Sequence, residues 1–335
     1  MSKKFLIACI VVLAFGNLNG QDIHFTQFLY SPLTLNPALT GNFEGRYRLG
    51  MNHRQQWRSI SQPFQTTGLW ADSRQFLNAK NINLGLSFYY DKAGTSDYNT
   101  LHFSVPVSYR FTLSGDSTHA INVGIQPAFN HQSLNTDKLT SDAQWNGRRF
   151  DNNLPLNENF QNTNTTTFDL ALGVTYQINL KKMNWTAGMS VYNLFEPKSS
   201  FLLGDDVRIP RRYNFHLGGK IDLKGNWFAT PGLVYSRQRQ YNELVFGSEL
   251  NYVMNDAPYS YRVLFFGLWN RGKDAGILNL GMYYNSWRVG LSYDVNYSPL
   301  HTASNYRGGW EISIIYILRD LLPKRLNYKY CPDYL

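Results

Sequence analysis

In Phe168–Leu180, FDLALGVTYQINL, one set of alternate residues reads Phe168, Leu170, Leu172, Val174, Tyr176, Ile178 and Leu180. The other set reads Asp169, Ala171, Gly173, Thr175, Gln177 and Asn179. A repeat of two residues makes this a strand with one greasy face and one small or polar face. The same split separates Ile82, Leu84, Leu86, Phe88 and Tyr90 from Asn83, Gly85, Ser87, Tyr89 and Asp91. It also separates Trp287, Val289, Leu291, Tyr293 and Val295 from Arg288, Gly290, Ser292 and Asp294. Soluble sandwiches alternate too, but their strands run to roughly five or six residues and their outer faces carry Lys, Glu and Thr. A transmembrane barrel strand needs about 9 to 11 tilted residues, apolar toward lipid and polar toward the lumen. Length and side-chain choice both favour the barrel.

Segments of this kind recur about fourteen times between residues 42 and 318, an even number as in bacterial single-chain barrels. If both chain ends are periplasmic, the connections on that side are LNAK, SGDSTH, LKKMN, LKGN, MNDAPYS and NS, all short. Opposite them lie the long stretches 133–165, 194–210 and 296–307. The expected fold is therefore all-β: an antiparallel outer-membrane β-barrel of about fourteen strands, with outer-membrane lipid around it. Trp57, Trp70, Trp185, Trp227, Trp269, Trp287 and Trp310 are candidates for its aromatic girdles.

Composition agrees, with aromatics at 16% and charged residues also at 16%. The opening MSKKFLIACIVVLAFGNLNG, residues 1–20, has the lysines, apolar run and small residues of a secretory signal peptide. Beyond it no apolar run reaches the about 18 residues of a spanning helix. Cys9 lies in the leader, which leaves Cys331 alone and excludes an intramolecular disulfide in the mature chain. The formal net charge of +9 is spread rather than clustered. Together with export, that sets aside nucleic acid as a partner.

Residues 21–41, QDIHFTQFLYSPLTLNPALTG, are too aromatic to dangle in water and are expected to fold inward as a plug or to cover the periplasmic rim. Behind them Arg46, Arg48 and Arg54 take the parity opposite to Tyr47, Leu49 and Met51 and so point into the lumen. Acids available to meet them are Asp91, Asp169, Asp222, Asp294 and Glu311, with Asp294 and Glu311 assigned to one network with the arginines. Buried guanidinium and carboxylate groups are costly unless paired. The network therefore reads as a rigid polar core, or as a selectivity ring of the porin kind. The lumen is expected to be too obstructed for general diffusion.

Catalysis finds no support in the pattern. Neither His53 nor His119 is flanked by a Ser in a recognisable arrangement, the other histidines are scattered singly, and neither H-E-x-x-H nor G-x-S-x-G occurs. No enzyme activity, cofactor or metal is expected. The chain ends with RDLLPKRLNYKYCPDYL, residues 319–335, a tail expected in the periplasm.

FTQFLYSPLTLNPALTG followed by YRLGMNHRQQW resembles the N-terminal signature of the PorP/SprF family, outer-membrane proteins of the type IX secretion and gliding machinery of Bacteroidota. SVYNLFEPKSSF ahead of IPRRYNFHLGG, then SYDVNYSPLHTASNYRGGWEISIIY and the terminal CPDYL, are similar to the same family and come in its order. Residues 133–165 match none of its motifs. The resemblance implies a non-enzymatic protein that helps secrete and anchor a cognate surface adhesin through its type B C-terminal domain. It also implies contact with periplasmic secretion-ring components. On that reading Trp145, Tyr297 and Tyr306 are the adhesin-binding candidates, because aromatics dominate interface energies. Tyr328, Tyr330 and Cys331 are the candidates for the ring contact. The alternative is a plugged outer-membrane transporter for hydrophobic or small polar solutes.

Overall fold

The computed structural model describes residues 25–318 apart from 59–61, 95, 115–117, 140, 150, 152, 159, 161, 203–205, 258–259 and 300. Residues 1–20, the first four of the segment 21–41, and the tail 319–335 with Tyr328, Tyr330 and Cys331 lie outside the described residues. The strands are β1 (Tyr47–Gln56), β2 (Phe64–Ser73), β3 (Ile82–Ala93), β4 (Tyr98–Ser104) and β5 (Val107–Thr112). They continue with β6 (His119–Ser133), β7 (Asn164–Leu180), β8 (Met183–Tyr192), β9 (Arg212–Asp222) and β10 (Trp227–Gln238). The last are β11 (Tyr241–Ala257), β12 (Ser260–Arg271), β13 (Ala275–Tyr284), β14 (Trp287–Asn296) and β15 (Arg307–Leu318).

Neighbouring strands pair antiparallel, and β1 closes the sheet against β15, from Tyr47 opposite Leu318 to Gln56 opposite Gly309. Closure removes the sheet edges, so the wall can satisfy its own N–H and C=O groups where no water is available. β4 and β5 both lie between β3 and β6, and they are the two halves of one strand in a barrel of fourteen. The break falls at Pro106, which has no N–H to give to the ladder. Its carbonyl still accepts from Gly85 at 2.7 Å, and Val105 donates to Pro127 at 3.1 Å, so the wall stays joined through the bend.

Alternation becomes orientation. On β7 Phe168, Leu172, Val174 and Tyr176 face outward, while Thr167, Asp169, Thr175 and Gln177 are buried inward. β14 alternates without a fault from Trp287 to Asn296. The outward band is apolar and the interior carries the polar groups, the reverse of a water-soluble domain.

Two details differ from the sequence reading. β11 and β12 extend into MNDAPYS, the first to Ala257 and the second from Ser260. A register shift between Val253 and Asn255 absorbs the extra residue, and the Asn255 side chain accepts from the Ala257 amide at 3.0 Å. Trp70 and Trp269 are not in the girdles: both are buried and point inward. Trp70 donates to the Asn52 side chain at 3.0 Å, and Trp269 meets Phe28 edge-on at 5.1 Å.

The start of β1 at Tyr47 and the end of β15 at Leu318 lie at the rim that also carries the short connections 181–182, 223–226 and 285–286. The opposite rim carries residues 134–163, 193–211 and 297–306. The first of these long loops is pinned at its base, where Asn135 donates to the Ser96 carbonyl at 3.1 Å and Lys138 bonds Asp97. Hydrogen bonds from Lys138 and Lys92 hold the Asp97 carboxyl below the usual range.

The loop asymmetry predicts the orientation in the membrane. In a Cys331→Ser background, a maleimide that does not cross the outer membrane should label Asn146→Cys in intact cells and miss Lys181→Cys. Labelling only the second position would invert the topology.

Candidate functional site

The candidate site is the barrel interior, where residues Phe25–Asn42 run as a chain of short helical turns inside the wall. Local sequence makes the turns. Pro32 opens the turn Pro32–Leu35, and Pro37 opens Pro37–Leu39, where its fixed φ suits a first helical position. Asn36 caps that second turn, its side-chain oxygen accepting from the Ala38 amide at 2.9 Å.

Four anchor points join this segment to the wall. At its start, Glu311 of β15, only 1% exposed, accepts from the Thr26 and Gln27 amides at 2.6 and 3.3 Å. Beside it Asp294 of β14 takes Arg54 at 3.1 Å, Arg271 at 2.9 Å and the Thr26 hydroxyl at 3.2 Å. Arg271 of β12 also donates to the Thr26 hydroxyl at 2.8 Å and pairs with Glu243 at 3.2 Å.

The second anchor is Glu249 of β11, which is fully buried. It accepts from the Tyr30 hydroxyl, from Asn279 at 2.6 Å and from Arg288 at 3.5 Å. The Arg288 guanidinium lies over the Tyr30 and Phe265 rings, 4.3 Å from the latter's centre.

In the middle, the Asn36 amide donates to the carbonyls of Val174 and Met189 at 3.1 and 3.0 Å and meets His216 Nε2 at 3.1 Å. The wall makes room there by having no side chain. A Cβ on Gly173 would fall 2.0 Å from the Asn36 oxygen, and one on Gly124 would fall 2.4 Å from the Ala38 nitrogen. At the exit, Asp72 of β2 accepts from the Gly41 amide at 2.8 Å and binds Arg48 through both oxygens, at 2.9 and 2.7 Å. Gly41 has φ +69°, a conformation that other residues rarely adopt.

The interior thus brings together Arg54, Asp294 and Glu311, and it places Arg48 in a separate pair with Asp72. Arg46 joins neither group. It stands exposed one residue ahead of β1, over the Tyr47 ring at 5.6 Å, where its charge keeps contact with the rim. Of the other acids considered, Asp169 accepts from the Leu170 and Phe195 amides, Asp91 from Thr66, and Asp222 pairs with Lys220 at the rim.

Glu249, Arg271, Arg288, Asp72 and Tyr30 escaped the sequence reading, yet two signals pointed to them. An acid in mid-strand, as Glu249 in ELVFGSEL, needs a partner inside a membrane. VLFFGLW, Val263–Trp269, is apolar on both faces, which fits a wall covered by something apolar within. That cover is the inserted segment: Phe28 and Leu35 pack with Val234, Val245, Trp269 and Ile277.

Trp145, Tyr297 and Tyr306 lie at the far rim and are exposed, in the 134–163 and 297–306 loops. Tyr297 is tied down, donating to the Gly272 carbonyl at 2.5 Å and accepting from Asn270 at 3.0 Å. Among the described residues no group of three or more His, Cys, Asp or Glu is arranged to hold a metal ion.

The network predicts unequal arginines. Arg271→Ala removes a buried cation from both Asp294 and Glu243 and should cost about 3–5 kcal/mol, read as a lower temperature for loss of the heat-modifiable folded band. Arg46→Ala should stay within about 0.5 kcal/mol. Equal effects would show that the interior pairing contributes no stability.

Among solved structures the chain is similar to the toluene transporter TbuX of Ralstonia pickettii, with 10% identity and a TM-score of 0.50 over 86% of this chain and 92% of that one. It is also similar to the Pseudomonas putida toluene transporter TodX, with 9% identity and a TM-score of 0.47 over 88% and 93%. At such identities the likeness is one of fold. No curated protein matches the chain. The family described as "Type IX secretion system membrane protein PorP/SprF" matches residues 17–316. With the closed barrel and its apolar outer wall, that match makes this an integral outer-membrane protein, and the chain belongs to the PorP/SprF family of type IX secretion system membrane proteins.

Proposed function

We propose that this protein is a non-enzymatic partner of type IX secretion that helps deliver a surface adhesin with a type B C-terminal domain and holds it at the outer membrane. The observation that carries the reading is the family match across residues 17–316. The geometry supports it in two ways. The segment Phe25–Asn42 lies inside the wall and is bonded to it along its length, and the long loops gather at the rim opposite Tyr47 and Leu318. Trp145, Tyr297 and Tyr306 form the adhesin contact, since large amphipathic rings fix a partner at little entropic cost. The tail 319–335, with Tyr328, Tyr330 and Cys331, docks periplasmic ring components.

A second reading has one observation behind it. Between the segment and the wall lies a hollow of about 410 Å³, lined by Phe28, Leu35, Leu39, Phe228 and Tyr283 among others. Such a hollow suits a small apolar solute, and the fold is shared with a protein named as a toluene transporter.

Deleting the gene separates the two. Loss of surface display of one adhesin with unchanged outer-membrane permeability is expected. Full display of every adhesin with lost uptake of a solute would favour transport. Within the first reading, Trp145→Ala should weaken adhesin retention by about 2 kcal/mol, a cost of truncation typical of an aromatic anchor. Retention assayed by cell fractionation checks it. Tyr297→Ala would be harder to read, because Tyr297 also secures its own loop.

A further inference from the structure

On the outer wall, at the long-loop end of β8, β9 and β10, is a hollow of about 600 Å³. Its floor is Met189, Tyr213, Phe215 and Tyr235, all exposed on the lipid-facing parity. Its rim is Arg211, Arg237 and Arg239 with a single acid, Glu196. Floor and rim are continuous, because Arg237 stands opposite Tyr213, and Met189 opposite Phe215.

Charge makes this place unusual. Along the membrane-facing wall a cation is costly at mid-depth and tolerated only near the interface, where long side chains reach the headgroups. Arg237 continues the outward row that contains Tyr235, and among the described residues its guanidinium has neither an ion pair nor a hydrogen bond. Arg239 makes one long bond, to the Arg208 carbonyl at 3.4 Å. Arg211 donates to the Leu194 carbonyl at 3.0 Å and stands 4.0 Å from Glu196. Three guanidinium groups therefore face one carboxylate above an apolar floor.

We propose that this hollow binds a lipid of the outer leaflet with a net-anionic phosphate headgroup, its acyl chain over Met189, Tyr213, Phe215 and Tyr235 and its phosphate at Arg237 and Arg239. Guanidinium groups match phosphate oxygens with paired hydrogen bonds, and they do so best where water is scarce. The leaflet follows from the loop-bearing rim. The site uses the wall and the base of the 193–211 loop, and none of Trp145, Tyr297 and Tyr306, so it stands or falls apart from the proposed function.

Native mass spectrometry of the purified full-length protein tests it, with phosphatidic acid or phosphatidylcholine of the same acyl chains added in mild detergent. Wild type should retain phosphatidic acid several-fold better. The double variant Arg237→Ala, Arg239→Ala should lose retention by on the order of tenfold, as expected for two cations at a lipid surface. Met189→Trp, which fills the floor, should lower retention with the arginines intact, and heat-modifiable migration reports that each variant is folded. Inorganic phosphate at matched ionic strength should not displace the lipid. Equal retention of the two lipids by wild type, unchanged retention in either folded variant, or displacement by inorganic phosphate would each overturn the proposal.

Discussion

A chain segment drawn inside a barrel takes its own N–H and C=O groups out of water, and an unmatched group there costs roughly 1–3 kcal/mol. That constraint dictates the inner face of this protein. The Leu33 carbonyl accepts from Tyr192, the Leu35 carbonyl from Ser190 and Asn214, and the Thr40 carbonyl from Ser108. At the two ends the segment's amides go to the carboxylates of Glu311 and Asp72. The inward Ser, Asn, Tyr, Glu and Asp side chains supply the hydrogen bonds that water would otherwise give.

The carboxylates in turn bring in the arginines. Asp294 inside a membrane wall would be untenable alone, and it is held by Arg54, Arg271 and Thr26 from β1, β12 and the segment. One cluster therefore ties together elements far apart in sequence. Glu249 does the same through Tyr30, Asn279 and Arg288. Shape follows charge: glycines 124 and 173 remove side chains where Asn36 and Ala38 approach, and Trp269 fills the space beside Phe28.

Much of this was legible in the sequence because a two-residue repeat has a strict geometric meaning. Once Phe168–Leu180 is a lipid-facing strand, the inward parity of Arg48, Arg54, Asp294 and Glu311 follows. What parity cannot supply is register. Arg48 lies directly opposite Asp72 across β1 and β2, yet that pairing depends on where the chain turns between residues 56 and 64. Parity also says nothing of depth, which is why Arg46 shares a face with Arg48 and still stays at the rim. Trp70 and Trp269 misled for a related reason: tryptophan suits a membrane interface, but it suits an apolar interior equally well when a partner such as Asn52 or Phe28 waits there.

The central claim is that the segment Phe25–Asn42 closes the lumen by filling it. Planar-bilayer recording of the purified full-length protein tests this directly. The account predicts little steady conductance, and open-channel current once residues 25–41 are deleted from a barrel that still folds. Large, steady, porin-like currents from the intact protein would contradict it.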